Sequence, residues 1–304
     1  MKKTDFFETD DGVKIVFYYW LPEETPRAVL QIAHGMAEYA ERYTHLAEFL
    51  CKNGIAVYAN DHRGHGKTAG SSADLGFFSQ KNGWIKAVTD MRSLTKIIQT
   101  DYPDTPVFLM GHSMGSFLAR TYITLYDDIQ GVILSGTGAH PRLLIKIARL
   151  LAALHVRTNG AQTASSFFDN MTMAPLNKKF EAEGKNAWLT RDKSVVQKYN
   201  NDPLCGFICT NGFYKDFFYG LDYINNNEHN QWIRFTLPLC IVSGAQDPVG
   251  DFGKGPEKVA SLYRSLQIED VHINLYEGAR HELVNETNRQ QVYEDILEWL
   301  SYHI

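Results

Sequence analysis

The sequence predicts an α/β protein: a mainly parallel sheet covered by helices on both faces, interrupted by a helical insertion. Two observations carry this. Short apolar or period-2 runs alternate with stretches of helical period through residues 1–137 and again through 235–304. Between them, over 138–234, the strand signal disappears. The layout is therefore a first part of the core (1–137), a helical cap or lid (138–234) and a second part of the core (235–304).

In chain order, Val13 to Trp20 reads as a strand and Ala28 to Ala33 (AVLQIA) as a buried one. Tyr43, Leu46, Ala47 and Leu50 then mark one helix face. Ile55 to Ala59 is the next strand, followed by a longer helical stripe of Trp84, Val88, Met91, Thr95 and Ile98. Pro106 to Met110 (PVFLM) is a strand running into a helix marked by Phe117, Leu118, Thr121, Tyr122 and Leu125, and Gly131 to Leu134 closes the first part. The insertion opens with an apolar helix dotted with basic residues, Arg142 to Val156, and carries thirteen aromatics, seven of them between Phe207 and Tyr223. Strands return at Leu237 to Ser243 and Val271 to Tyr276. The last helix has the stripe Val292, Ile296 and Leu300, with Thr287 expected as its N-cap and Gln290 three residues on.

Composition bounds the function. At about 150 residues per domain, 304 residues allow two domains, or one large domain with an insertion. Hydrophobic residues at 44% and charged residues at 21% are ordinary globular usage. A net charge of −5 offers no basic excess for phosphates, which argues against nucleic acid. The four cysteines (51, 205, 209, 240) form no C-x-x-C pair, which points to a reducing, cytoplasmic setting and no structural zinc. The two N-terminal lysines precede no apolar h-region, and no stretch approaches about 18 apolar residues.

The sharpest chemical signal is Gly111-His112-Ser113-Met114-Gly115, a G-x-S-x-G run with an apolar strand before it and a helix after it. A serine on a tight strand-to-helix turn presents its hydroxyl, and small residues two before and two after it relieve the crowding that the turn creates. Such a serine needs a base and an orienting acid, placed later in the chain on loops after strands. Asp247 stands four residues after the strand ending at Ser243, and His281 stands five after Tyr276. Asp251, further on and past Pro248, is the rival acid and reads as a solvated loop carboxylate. The oxyanion of a tetrahedral intermediate needs two backbone donors. Met114, after the nucleophile, supplies one, and Met36 in His34-Gly35-Met36 supplies the second.

The segments HGMAEYAERY, DHRGHGKTAG, VFLMGHSMGS, SGAQDPVG, YEGARHELVNE and DPLCGF (Asp202 to Phe207) together resemble the α/β-hydrolase fold, and within it the monoacylglycerol lipase and lysophospholipase family, over nearly the whole chain. The resemblance implies a serine carboxylic-ester hydrolase with Ser113, Asp247 and His281 as triad, Met36 and Met114 as oxyanion donors, and no metal or cofactor. Two positions depart from the family pattern: Ser116 stands where a further glycine is usual, and Val284 where monoacylglycerol lipases often carry a second histidine. The expected substrate is a small acyl lipid, most simply a monoacylglycerol; a lysophospholipase, a broad carboxylesterase and a catalytically silent ligand sensor are the alternatives. Glu38 and Arg42, four apart, read first as a local ion pair and second as a head-group contact. His112 and the i,i+4 pair Phe213/Phe217 complete the candidate substrate contacts; the aromatics, like Tyr214/Phe218, read first as core packing and second as an acyl wall. His62, Arg63, His65 and Lys67 read as residues shaping a loop, and Cys205 and Cys209 as packing residues. The helix from Arg142 either packs as a lid or touches a membrane surface.

Overall fold

The computed structural model describes residues 2–304. Among the described residues, eight strands form one sheet: β1 (Lys2–Glu8), β2 (Lys14–Trp20), β3 (Ala28–Ala33), β4 (Ile55–Asn60), β5 (Val107–His112), β6 (Gly131–Ser135), β7 (Leu239–Gly244) and β8 (Val271–Tyr276). Their order is β1-β2-β4-β3-β5-β6-β7-β8. The pairs β1/β2 and β2/β4 are antiparallel, and every pair from β4 to β8 is parallel. The core helices are α1 (Thr44–Lys52), α2 (Gly83–Asp101), α3 (Met114–Leu125), α9 (Lys254–Ser265) and α10 (Arg289–Tyr302). Between β6 and β7 run α4 (Arg142–Asn159), α5 (Ser166–Thr172), a 3-10 stretch (Ala174–Glu183), α6 (Lys193–Asn201), α7 (Asn211–Ile224) and the short α8 (Asn227–Asn230).

The central strands β3 to β7 are buried along their whole length, which is why they read as unbroken apolar runs. Their side chains still alternate between two cores. Leu30, Ile32, Val57 and Ala59 meet α1 and α10 on one face. Val29, Ala33, Ala56 and Tyr58 meet α2, α3 and α9 on the other. The second core runs on into the insertion, because α7 lays Phe213, Tyr214, Phe217 and Phe218 onto it. A methyl group at Gly220 of α7 would lie 2.1 Å from the Trp84 ring of α2, so that glycine is what lets the two helices meet. A separate small cluster of Phe180, Trp188, Leu189, Tyr199 and Cys205 lies in the insertion and packs against Tyr39 and Val249 of the core.

Two expectations need correction. Strand β1 is absent from the reading of the sequence because six of its seven side chains are exposed, so it shows no buried face. Thr287 is not the N-cap of α10: Asn288 occupies that position without a side-chain cap, and the Thr287 hydroxyl turns back to Glu286. Gln290 reaches forward to Glu294 instead of closing a capping box. The stripe Val292, Ile296 and Leu300 is buried. Among the described residues no helix is long and apolar enough to cross a membrane.

Candidate active site

Ser113 sits between β5 and α3 at φ 52° and ψ −119°, a conformation that non-glycine residues avoid. The strain is held in place by its surroundings. The Ser113 amide donates to the Ser135 carbonyl at 2.9 Å, and Ser116 returns both its amide (2.9 Å) and its hydroxyl (2.6 Å) to the Ser113 carbonyl. Ser116 is thus a local brace for this turn. The two flanking glycines are obligatory here: a Cβ at Gly111 would lie 2.2 Å from the Gly115 carbonyl oxygen, and one at Gly115 would lie 2.0 Å from that of Ala33.

Asp247 and His281 reach the same place from the loops after β7 and β8. Asp247 is fully buried; its Oδ1 accepts the Val249 amide at 2.8 Å and its Oδ2 lies 2.9 Å from His281 Nδ1. That contact fixes Nδ1 as the protonated nitrogen and leaves Nε2 to act as a base. Burial alone would lower the imidazole pKa, but Asp247, together with Glu282 and Glu38, outweighs it and holds the group above its usual 6.5. Asp251 stays exposed on the far side of the turn, at φ 47°. His112 packs 4.6 Å from the His281 ring, and burial pushes its own pKa down to about 4, so it is neutral near pH 7.

The loop after β3 is held as firmly. His34 donates from Nδ1 to the Gly35 carbonyl at 2.8 Å, and its Nε2 accepts the His62 amide at 2.9 Å. Burial keeps this histidine neutral, as that pairing requires. A Cβ on Gly35 would lie 3.3 Å from that of Ser113, so the Gly35-Met36 backbone passes directly beside the serine. Met114 opens α3, where backbone amides point at whatever the serine binds.

Ser113, His281, Met36 and Met114 all line one cavity of about 460 Å³, within the range usual for small-molecule sites. Most of its wall is apolar: Leu144, Ile145, Ala148 and Leu151 from α4, Met171 from α5, and Phe217, Phe218 and Leu221 from α7. Glu38, Glu282, Tyr199 and Trp188 give it a polar end. One arginine occupies both carboxylates there. Arg42 Nη1 meets Glu38 Oε2 at 2.6 Å, and its two terminal nitrogens meet Glu282 at 2.7 Å and 2.6 Å. Burial would raise the Glu38 carboxyl, but Arg42 and the hydrogen bonds from Gly35 and Tyr43 hold it below its usual value.

The substrate-contact expectations fare unevenly. His112, Glu38 and Phe217 line the cavity. Arg42 does not; it stands behind Glu38 as a partly buried counter-ion. Phe213 does not either; it packs against Phe78 with ring centroids 4.8 Å apart and planes tilted by 55°. The wall is therefore mainly aliphatic and methionine-rich, with α4 as its largest contributor. Sequence reasoning missed Glu282, Tyr199 and Trp188; for Glu282, its place beside His281 was the available signal.

The family described as serine aminopeptidase, S33, matches residues 24–288. The chain belongs to that family. A monoacylglycerol lipase of Mycolicibacterium smegmatis is 30% identical over 96% of this chain and 95% of its own. The monoglyceride lipase of Homo sapiens is 29% identical over 96% of this chain and 88% of its own. Among solved structures, a thermostable carboxyl esterase from Bacillus coagulans, crystallised with glycerol, superposes with a TM-score of 0.90 at 28% identity, covering 99% of this chain and 98% of that one. This S33 family member has the α/β-hydrolase fold and is a serine ester hydrolase.

Proposed function

We propose that the protein hydrolyses carboxylic esters of small acyl lipids, monoacylglycerols foremost, through an acyl-enzyme on Ser113. The observation that carries this reading is the junction at Ser113: a serine on a strained turn, beside a His281–Asp247 pair, at the meeting of an apolar wall and a polar end in one cavity. In the reaction Ser113 Oγ attacks the ester carbonyl while His281 Nε2 takes its proton. Asp247 holds the imidazole in the right tautomer and stabilises the imidazolium. The Met36 and Met114 amides receive the negative charge on the carbonyl oxygen. His281 then protonates the departing glycerol oxygen, and a water, activated by the same imidazole, releases the fatty acid.

The acyl chain lies against α4 and α7, and the alcohol faces Glu38, Glu282 and Tyr199. Hydroxyl groups can donate to that end, whereas a phosphate would meet two carboxylates that share a single arginine, which disfavours a lysophospholipid. Residues 138–234 act as the cap. The outward side of α4 exposes Leu143, Leu144, Leu150 and Leu154 at 54–73%, beside Lys146 and Arg157, and this face supports transient contact with a membrane surface. The four unpaired cysteines fit a cytoplasmic setting.

A peptide-cleaving reading, which the family description invites, finds no support at the polar end. A peptide's terminal ammonium would need a carboxylate, and both nearby ones are already bound to Arg42. A broader carboxylesterase reading is favoured by the likeness to the Bacillus coagulans esterase. Fatty-acid release from a matched-acyl panel decides among them. A monoacylglycerol and a simple ester of the same chain should be cleaved at similar rates and a lysophospholipid more slowly. Preference for the lysophospholipid, or cleavage of aminoacyl amides alone, would overturn the assignment.

A further inference from the structure

Asp247 fixes the His281 ring at one point, Nδ1. A ring held there can still tilt about that hydrogen bond, and a tilt displaces Nε2 from the serine. The loop that bears His281 has no helix or strand before a short 3-10 turn at Leu283–Asn285, and it follows the edge strand of the sheet. From the core, His112 packs on the ring with centroids 4.6 Å apart, and a second contact closes it in. The insertion supplies it.

The segment 187–191, between the 3-10 stretch and α6, runs alongside the His281 loop and is laced to it. Arg280 donates from Nη1 to the Ala187 carbonyl at 2.7 Å, and the Glu282 amide donates to the Leu189 carbonyl at 2.7 Å. Arg191 donates from its amide (3.1 Å) and from Nε (2.9 Å) to the fully buried Glu286. These bonds flank Trp188. Its own amide is held by Asn177 Oδ1 at 3.1 Å, and its indole lies on the His281 ring with centroids 4.9 Å apart and planes 38° apart. Trp188 is buried at 5% exposure and packs among Phe180, Leu189 and Tyr199, with the cavity on its remaining side.

We propose that Trp188 is a positioning residue for His281, so that one strap of the insertion completes the catalytic machinery of the core. The proposal rests on the triad reading given above. Displacements of about 1 Å in reacting groups lower rates by about a hundredfold, so loss of the indole face acts on kcat. It acts even where the substrate is too short to use the acyl wall.

The test is steady-state hydrolysis of p-nitrophenyl acetate by wild type, Trp188→Ala, Trp188→Leu and Trp188→Phe, with thermal melts as the folding control. We expect Trp188→Ala to lower kcat by about 10- to 100-fold with KM changed by less than about threefold. Trp188→Leu, which keeps apolar volume without a flat face, should also lose kcat, and Trp188→Phe should recover to within about threefold of wild type. Should the alanine variant not fold, the leucine and phenylalanine variants decide. Equal kcat in leucine and phenylalanine variants, or a loss confined to KM, overturns the strap while leaving the hydrolase reading intact. A wild type that cleaves no ester overturns the triad reading, and the strap with it.

Discussion

Around Ser113, the loops after β3, β5, β7 and β8 are held by backbone hydrogen bonds and buried partners. The facing wall from α4 and α5 is built differently. Its side chains are mostly aliphatic, with Met171 from α5, and Leu144 and Ile147 are 61% and 47% exposed even though both line the cavity. The difference divides the labour: chemistry demands sub-ångström placement and is assigned to the rigid sheet end, whereas accepting an acyl chain demands only apolar volume. Segment 187–191 differs from that wall: it is a piece of the insertion fastened to the His281 loop by hydrogen bonds.

The largest effect on activity should come from the core side. Asp247→Asn should lower kcat on the order of 10³–10⁴-fold by leaving His281 in the wrong tautomer. Asp251→Asn, on the exposed side of the same turn, should change it by less than about threefold. Both are read from ester hydrolysis at saturating substrate. A reversed order would move the acid from the buried site to the solvated one.

The insertion should respond in selectivity. Each methylene that fits the wall contributes at most about 0.8 kcal/mol, so kcat/KM should rise roughly ten- to a hundredfold over a few carbons of acyl chain. Ala148→Trp, which projects bulk from α4 into the cavity, should lower kcat/KM for long chains far more than for an acetyl ester. A chain-length series on wild type and variant measures this, and a flat response in wild type would contradict the wall.

The smallest effect concerns pH. His281 must be neutral to accept the serine proton, and its pKa is raised above 6.5 because Asp247, Glu282 and Glu38 outweigh the effect of burial. Activity should therefore fall as pH drops through a midpoint above 6.5. Asp247→Asn removes the largest stabilising charge, so its residual activity should show a lower midpoint. His112, at about 4, should add no second limb between pH 5 and 8. A wild-type midpoint below 6 would mean that burial dominates at His281.

The core was legible because its signals are local. Buried parallel strands read as apolar runs, and the crowding at Gly111 and Gly115 is written into five consecutive residues. The insertion was legible only as helical. The i,i+4 spacing of Phe213 and Phe217 identified a helix face, but that face is wide enough for Phe213 to meet Phe78 while Phe217 meets the cavity. Trp188 and His281 lie far apart in the chain and touch only through the fold, so no spacing announces them. Arg42 showed its i,i+4 partner Glu38, and its pairing with Glu282 is visible only in three dimensions.

The most direct test of the central claim, that Ser113 is the nucleophile activated by His281, is intact and peptide mass spectrometry after treatment with a fluorophosphonate. The account predicts one adduct, on the peptide carrying Ser113, absent from Ser113→Ala and formed at least about a hundredfold more slowly in His281→Ala. An adduct on another residue, or one that forms equally in Ser113→Ala, would contradict it.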